Sequence, residues 1–287
     1  MASFEGAPIP ILVGVRGVNS GRKAWLCDVW GVLHDGVTAF PSAIDACRRF
    51  KNGGGKVVLI SNSPKPSFAV AEHLRSLKVP DDCFDALVTS GDAARMLLAA
   101  RCEPSVFHIG PERDAGFFDG LDVKLGPAGE ATLIVCTGFF DEEHETAEDY
   151  NEMFSAFAAR GVPMLCANPD LVVERGTRLL PCAGALAERY AALGQAVIQA
   201  GKPFQPIYEL ALGQLAADVS LAEVLAIGDG IDTDIKGACL QGIDAIYVAS
   251  HVHLGNTATR SLTGDTLATL FQNRPFRPIA AMSRLGW

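Results

Sequence analysis

Short apolar runs that stop abruptly on a polar residue, each followed by a helix-patterned stretch, constrain this chain more than any other feature. Residues 24–27 stop at Asp28, residues 57–60 at Ser61, and residues 224–227 at Gly228 and Asp229. Runs of this length, bounded by turn residues, are those of strands buried in a parallel sheet. Between the first two, Ala43, Ala46, Cys47 and Phe50 fall at helical spacing and Gly53-Gly54-Gly55 ends the helix. A second helix carries Val70, Ala71, Leu74 and Leu77 on one face, and a strand over 85–89 leads into a helix over 90–98. The alternation predicts an α/β fold built on a doubly wound parallel sheet.

From about residue 101 to 195 the pattern reads as a separate α/β unit, with strands over 106–109, 132–137 and 163–167 and a helix over 146–160. The acidic start of that helix suits the helix dipole. A further helix opens at 181–186, after Asn168-Pro169-Asp170. The first pattern resumes with a strand over 196–200, Gly201-Lys202-Pro203, a helix over 204–217 with Pro203 at its first position, and strands over 224–227 and 245–248. The expected organisation is a core of residues 1–100 and 196–287 with a unit inserted at 101–195. The tail 273–287, with Arg274, Arg277 and Arg284, docks on the core or on a partner subunit.

With 287 residues the chain can bury a substantial core. Its formal net charge of −9 disfavours nucleic acid or an anionic membrane as a partner, while local basic groups remain available for a small phosphate. The eight cysteines form no Cys-x-x-Cys pair and lie mostly in apolar segments, as in reduced cytoplasmic proteins, which disfavours a zinc site or a disulfide framework. No signal peptide or run of ~20 apolar residues is present, so the cytoplasm is the expected location.

Four strand ends carry polar groups: Asp28; Ser61 with Asn62; Lys202; and Asp229 with Asp232 and Asp234. Each alone is an ordinary turn or surface residue. If the strands are neighbours in one parallel sheet, all four meet on its C-terminal edge, where open α/β sheets bind ligands. A nucleophile, hydrogen-bond donors, a cation and a carboxylate cluster are the groups phosphoryl transfer asks for. The Asp229 loop has no calcium-loop spacing, because its twelfth position is Leu240. The Gly53–Gly55 run ends a helix instead of opening one, so it is a connector and no phosphate cradle.

The order Asp28-x-x-Gly-Val-Leu, Leu59-Ile-Ser-Asn, Gly201-Lys-Pro and Gly228-Asp-x-x-x-Thr-Asp-Ile resembles the four motifs of the haloacid dehalogenase superfamily over roughly residues 23–250. Positions 28 and 61 leave little room between the first two motifs, and the large insert falls before the third. With Asn168-Pro-Asp170 and residues 181–186, this resembles the class IIA, NagD-like phosphatases. The resemblance implies a Rossmann-like core, a cap at 101–195 that sets substrate choice through Asn168 and Asp170, and Mg²⁺ as cofactor. It implies a small phosphorylated metabolite (a sugar phosphate, a nucleotide or a pyridoxal-phosphate-like ester) as substrate, and homo-oligomerisation, as a dimer, through the cap.

Carried over by position, Asp28 attacks phosphorus and forms an aspartyl-phosphate, Ser61 and the Asn62 backbone bind the phosphoryl oxygens, and Lys202 bridges that group and Asp28. Asp28, the main-chain carbonyl of Trp30 and Asp229 hold Mg²⁺, with Asp234 acting behind them or through water. Asp232 helps the metal or caps the turn. The superfamily usually has a second Asp two residues after the nucleophile, as general acid and base. Here that residue is Trp30, which can do neither. Three groups are candidates to replace it: His34, whose ordinary pKa of about 6.5 suits proton transfer, then Asp35 and Asp170. His34 is otherwise a turn residue. Haloacid dehalogenases and phosphonoacetaldehyde hydrolases also lack the second Asp, but place their cap between the first two motifs. The alternatives to a phosphatase are a phosphate-binding or regulatory protein with weak turnover, and a phosphotransferase.

Overall fold

The computed structural model describes residues 7–175, 178–249 and 262–287. The chain divides into two compact units: Met1–Ile60, His73–Leu87 and Ala211–Trp287 form one, Ser61–Glu72 and Val88–Leu210 the other.

The first unit is organised by a six-stranded sheet. Its strands are β1 (Ala24–Asp28), β2 (Lys56–Ser61), β3 (Ala86–Thr89), β10 (Val224–Gly228), β11 (Asp244–Val248) and β12 (Ala280–Met282), in the order β12-β11-β10-β1-β2-β3. β1 pairs in parallel with both β10 and β2, with Cys27 opposite Ile227 and Leu59, and Asp28 opposite Ile60. Every residue of β1 is buried, which explains its unbroken apolar sequence up to Asp28. On one side Trp25 stacks on Phe50 of helix α1 (Pro41–Asn52), centroids 4.2 Å apart. Gly55 lies under the same ring, where a Cβ would come 2.4 Å from Phe50 Cζ.

The tail belongs to this unit. Strand β12 extends the sheet past β11, the Ala281 N–H donates to the Pro10 carbonyl, and the Leu12 N–H donates to the Ala281 carbonyl. Trp287 reaches Trp25, ring centroids 6.4 Å apart. The strand over 244–248 is therefore followed by one more strand, which its three residues were too few to announce.

The second unit holds a parallel sheet of β4 (Val106–Ile109), β5 (Leu133–Cys136), β6 (Met164–Cys166) and β9 (Val197–Gln199), in the order β4-β5-β6-β9. Its core includes Ile134, Phe154, Phe157, Leu186 and Tyr190, packed between the sheet and the helices α4 (Asn151–Ala158) and α5 (Ala183–Ala192). An antiparallel hairpin of β7 (Val172–Arg175) and β8 (Arg178–Pro181) stands apart from that sheet. The parallel sheets with flanking helices are the α/β architecture the alternation predicted.

Two helices are shorter than their sequence pattern. The stretch 146–160 opens as a 3-10 turn, Ala147–Tyr150, held by the Thr146–Asp149 capping box, before α4 begins. The stretch 204–217 is helical only over Gln205–Leu212 (α6), so Pro203 precedes the helix instead of opening it. No helix among the described residues is long and apolar enough to cross a membrane.

Candidate active site

The first unit gathers three carboxylates. Oxygens of Asp28, Asp229 and Asp234 all lie within 4.8 Å of one another, and Asp28 and Asp234 are buried. β1 and β10 are adjacent and parallel, so Asp28 and Asp229 leave the same sheet edge. Asp234 is brought back by the π-type turn Ile231–Ile235, in which the Ile235 N–H donates to the Gly230 carbonyl over 3.0 Å. The Asp234 Oδ2 then accepts the Gly230 N–H at 3.1 Å. Gly31 makes room for this cluster: its φ is +84°, and a Cβ there would come 2.2 Å from Asp229 Oδ2.

Three hard oxygen donors converging on one point suit a divalent cation. The cation would also relieve the mutual repulsion of acids taken out of water. Burial, and after it the nearby Asp229 charge, pushes up the hydroxyl pKa of the fully buried Tyr247. Asp232 stays outside the cluster: it pairs with Arg274 from the tail.

The loop after β1 is folded on itself. The Gly31 N–H donates to the His34 carbonyl at 2.7 Å, and the Leu33 N–H to the Val29 carbonyl at 2.9 Å. The Trp30 ring meets His34 edge-on, centroids 5.1 Å apart, and lies over Gly36, where a Cβ would come 2.4 Å from Trp30 Cζ2. Gly36 has a φ of +88°, a conformation glycine takes at little cost.

The expectation for His34 needs correction. The residue is 1% exposed, its Nδ1 accepts the Gly36 N–H at 2.9 Å, and its ring meets His73 edge-on. Burial, reinforced by His73, lowers its pKa to about 4. The imidazole is therefore neutral at pH 7, and the argument from an ordinary pKa near 6.5 does not apply. Asp35 is likewise engaged, its Oδ1 accepting the Val37 and Thr38 N–H groups. Those bonds outweigh desolvation and lower its pKa.

The second unit makes its own polar cluster. Asn62 is 4% exposed: its Oδ1 accepts the Lys202 N–H at 2.7 Å, and its Nδ2 donates to the Lys202 carbonyl at 3.1 Å and to Asp170 Oδ1 at 2.8 Å. Asp170 in turn donates its N–H to Asn168 Oδ1 at 3.0 Å. Gly201 allows this convergence, since a Cβ would come 2.5 Å from both Asn62 Oδ1 and Ser90 Oγ and 2.7 Å from Pro169 Cδ. Lys202 is 2% exposed. Ser61 closes β2, buried, and its Oγ accepts the Ser63 N–H at 3.2 Å.

The predicted residues thus collect in two groups, Asp28–Asp229–Asp234 in one unit and Asn62–Lys202–Asp170–Asn168 in the other. The side-chain work of Asn62 escaped the sequence, because its partners lie 108 and 140 positions away. The hairpin residues Glu174, Arg175 and Arg178 can be read from sequence either as specificity groups or as solvated surface; Arg178 is exposed and pairs with Glu143, while the side chains of Glu174 and Arg175 lie outside the described residues.

Comparison with known proteins meets this geometry. The family model described as haloacid dehalogenase-like hydrolase matches residues 25–124, and a second model, HAD-hydrolase-like, matches 199–270. A crystal structure of a haloacid dehalogenase-like hydrolase from Brucella suis 1330 superposes with a TM-score of 0.84 at 40% identity, covering 96% of this chain and 100% of that one. The chain belongs to the haloacid dehalogenase-like hydrolase family. Among its relatives are the 5'-nucleotidase YutF of Bacillus subtilis, 28% identical over 85% of this chain and 91% of that protein, and the ribonucleotide monophosphatase NagD of Escherichia coli K12, 28% identical over 80% and 88%. These relatives place it in the NagD-like, class IIA branch of the family. The two family matches bracket the motif residues, with Asp28, Ser61 and Asn62 in the first and Lys202, Asp229 and Asp234 in the second.

Proposed function

We propose that this hydrolase is a Mg²⁺-dependent phosphatase of small phosphorylated metabolites, working through an aspartyl-phosphate on Asp28. The observation that carries the reading is the convergence of Asp28, Asp229 and Asp234 within 4.8 Å at the ends of adjacent parallel strands. The names of the relatives, a nucleotidase and a ribonucleotide monophosphatase, support it. Bound Mg²⁺, held by Asp28, Asp229, Asp234 and the Trp30 carbonyl, would neutralise charge on the phosphoryl oxygens.

The protein's own groups do the rest. An Asp28 carboxylate oxygen attacks phosphorus as the ester oxygen departs with its electron pair. Water then attacks the phosphorus of the acyl phosphate, releasing inorganic phosphate and restoring the carboxylate. Lys202 supplies positive charge to the phosphoryl group, and the Ser61 hydroxyl and Asn62 backbone N–H supply hydrogen bonds. Residues 101–195 act as the cap that selects the substrate. The eight cysteines are all free, seven of them buried or partly so, which supports a reducing, cytoplasmic setting.

Proton transfer is where this chain departs from its family. Trp30 has no ionisable proton, and His34 is neutral at pH 7. Asp35 and Asp170 are both engaged as hydrogen-bond acceptors, Asp35 with its pKa lowered, so on this reading leaving-group oxygens take their proton from solvent and turnover should fall as the leaving group becomes more basic. General acid catalysis is typically worth ~10²–10⁴-fold, which sets the scale of the loss for alkyl phosphates relative to aryl phosphates.

The test is hydrolysis of a panel of aryl, sugar and nucleotide phosphates with Mg²⁺ by wild type, Asp28→Asn and Trp30→Asp. The expected result is turnover in wild type, steepest for aryl esters, and its loss in Asp28→Asn. Unchanged turnover in Asp28→Asn overturns the nucleophile assignment. A wild type without turnover that Trp30→Asp makes active marks a phosphate-binding protein, a reading the Trp30 substitution itself favours.

A further inference from the structure

Asn62 was expected to serve the substrate through its backbone, and Asp170 to select substrate or carry protons. Their side chains are also engaged with each other, and that of Asn62 with the main chain of Lys202. One amide side chain grips both main-chain polar groups of Lys202, accepting from its N–H at 2.7 Å and donating to its carbonyl at 3.1 Å. The remaining hydrogen of the same Nδ2 goes to Asp170 Oδ1 at 2.8 Å. We infer that Asn62 and Asp170 are positioning residues for Lys202: Asn62 fixes the backbone from which the lysine projects, and Asp170 locks the amide in the orientation that can do so.

Several features support this division of labour. A carboxamide flipped by 180° would place its NH₂ against the Lys202 N–H and its oxygen against the Asp170 carboxylate. Asp170, an acceptor toward Asn62, thus excludes the wrong orientation. Asp170 is itself held on its main chain, donating to Asn168 Oδ1 and accepting the Gly184 N–H at 3.1 Å from the first turn of α5. Gly184 packs so closely there that a Cβ would come 2.4 Å from the Asp170 carbonyl oxygen. The loop is rigid on one side and the amide is buried on the other, so the chain Asp170–Asn62–Lys202 has little freedom to relax.

The role of Lys202 as a charge on the phosphoryl group rests on the proposed phosphatase reading; the clamp itself does not. A lysine displaced by a fraction of an ångström still binds a dianion but meets the transition state less well. The loss therefore falls on kcat and not on KM.

Two measurements test the inference together. The first is steady-state kinetics of Asn62→Ala, Asp170→Ala, Asp170→Asn and the Asn62→Ala/Asp170→Ala double variant, with Lys202→Met as the floor and thermal unfolding as the folding control. Asn62→Ala is expected to lower kcat about 10–100-fold with KM changed less than about threefold, the range expected for lost buried hydrogen bonds that orient a reacting group. Asp170→Asn keeps an acceptor oxygen facing Asn62 and should stay within about threefold of wild type, whereas Asp170→Ala should not. The double variant should be no slower than Asn62→Ala alone, because both act through one contact.

The second is amide hydrogen exchange at Lys202, which needs no turnover and is read cleanly because Pro203 has no N–H. Exchange there should quicken in Asn62→Ala and Asp170→Ala but not in Asp170→Asn. If Asp170→Asn is as slow as Asp170→Ala, the charge of Asp170 acts directly and the inference fails. It fails equally if the double variant is additive, or if Lys202 exchange is unmoved by Asn62→Ala. A wild type without phosphatase turnover overturns the proposed function alone, and the exchange data still decide the clamp.

Discussion

Gly31 shows how one missing side chain can set the geometry of the carboxylate cluster. Its φ of +84° already disfavours any residue with a Cβ, by about 1–2 kcal/mol, and that Cβ would meet Asp229 Oδ2 at 2.2 Å. Gly31→Ala should therefore push Asp229 out of the cluster and raise the Mg²⁺ concentration needed for half-maximal activity by more than about tenfold, with a smaller drop in melting temperature. A magnesium titration of activity in the two proteins checks it; an unchanged midpoint would separate Asp229 from the metal. His108 offers a second test at this scale, in the other unit. Burial lowers its pKa to about 4, and its Nε2 lies 2.9 Å from Thr137 Oγ1. As pH falls below about 6.5 the unfolded chain takes up this proton while the folded one does not, so stability is lost between about 6.5 and 4. One proton sets a ceiling of about 1.4 kcal/mol per pH unit, and the loss is smaller here because His108 is only partly buried. Urea midpoints at pH 7 and pH 5 should converge in His108→Gln relative to wild type. Equal pH slopes in the two proteins would assign the acid sensitivity elsewhere.

At the scale of elements, sequence was most informative where a strand is buried on both faces and ends on a charge. β1, β2 and β10 announce themselves because nothing but apolar residues fits between two helical layers, and Asp28 and Asp229 stand out against that background. The helix Pro41–Asn52 was readable from its apolar spacing and its glycine stop. Legibility failed where long-range contacts decide. The three residues of β12 are a strand only because β11 and residues 10–12 flank them, and the hairpin β7–β8 has no alternation of its own. The Asn62 clamp failed for the same reason, and His34 because burial, which sets its pKa, is invisible in a local pattern. Asp92 illustrates a device that sequence shows only in part. It completes a capping box with Thr89 at the start of α3 (Ser90–Ala99), and its Oδ1 also accepts the Ser67 N–H at the first residue of α2 (Ser67–Ser76). One carboxylate thus satisfies donors at two helix starts. Asp92→Ala should cost more than a single cap, about 2 kcal/mol, where Thr89→Ala costs about 1. Chemical denaturation of the two variants checks the order, and a smaller loss for Asp92→Ala than for Thr89→Ala would contradict the double role.

For the whole molecule, the consequence that matters is the tension between folding and charge. The chain carries a formal net charge of −9 and gathers three of its carboxylates within 4.8 Å, two of them buried. Each like-charged pair at that spacing costs roughly 3–4 kcal/mol at an effective dielectric near 20, partly offset by hydrogen bonds such as that from Gly230 to Asp234. The strain falls on β1 and β10, central strands of the six-stranded sheet, so it bears on unfolding of the sheet and not on a frayed edge. A cation that binds only the folded cluster stabilises by mass action, about 2.7 kcal/mol at a hundred times its dissociation constant. Two opposite effects of one substitution follow. In chelator, Asp234→Asn removes one charge while its amide oxygen can still accept the Gly230 N–H, so the variant should melt above wild type. With saturating Mg²⁺ the wild type should gain several degrees and the variant much less, so that the order reverses. Differential scanning fluorimetry with and without Mg²⁺ reads both. A variant that melts lower in chelator would mean that Asp234 is held by favourable contacts strong enough to outweigh the repulsion. Equal Mg²⁺ shifts in the two proteins would place the cation away from Asp234.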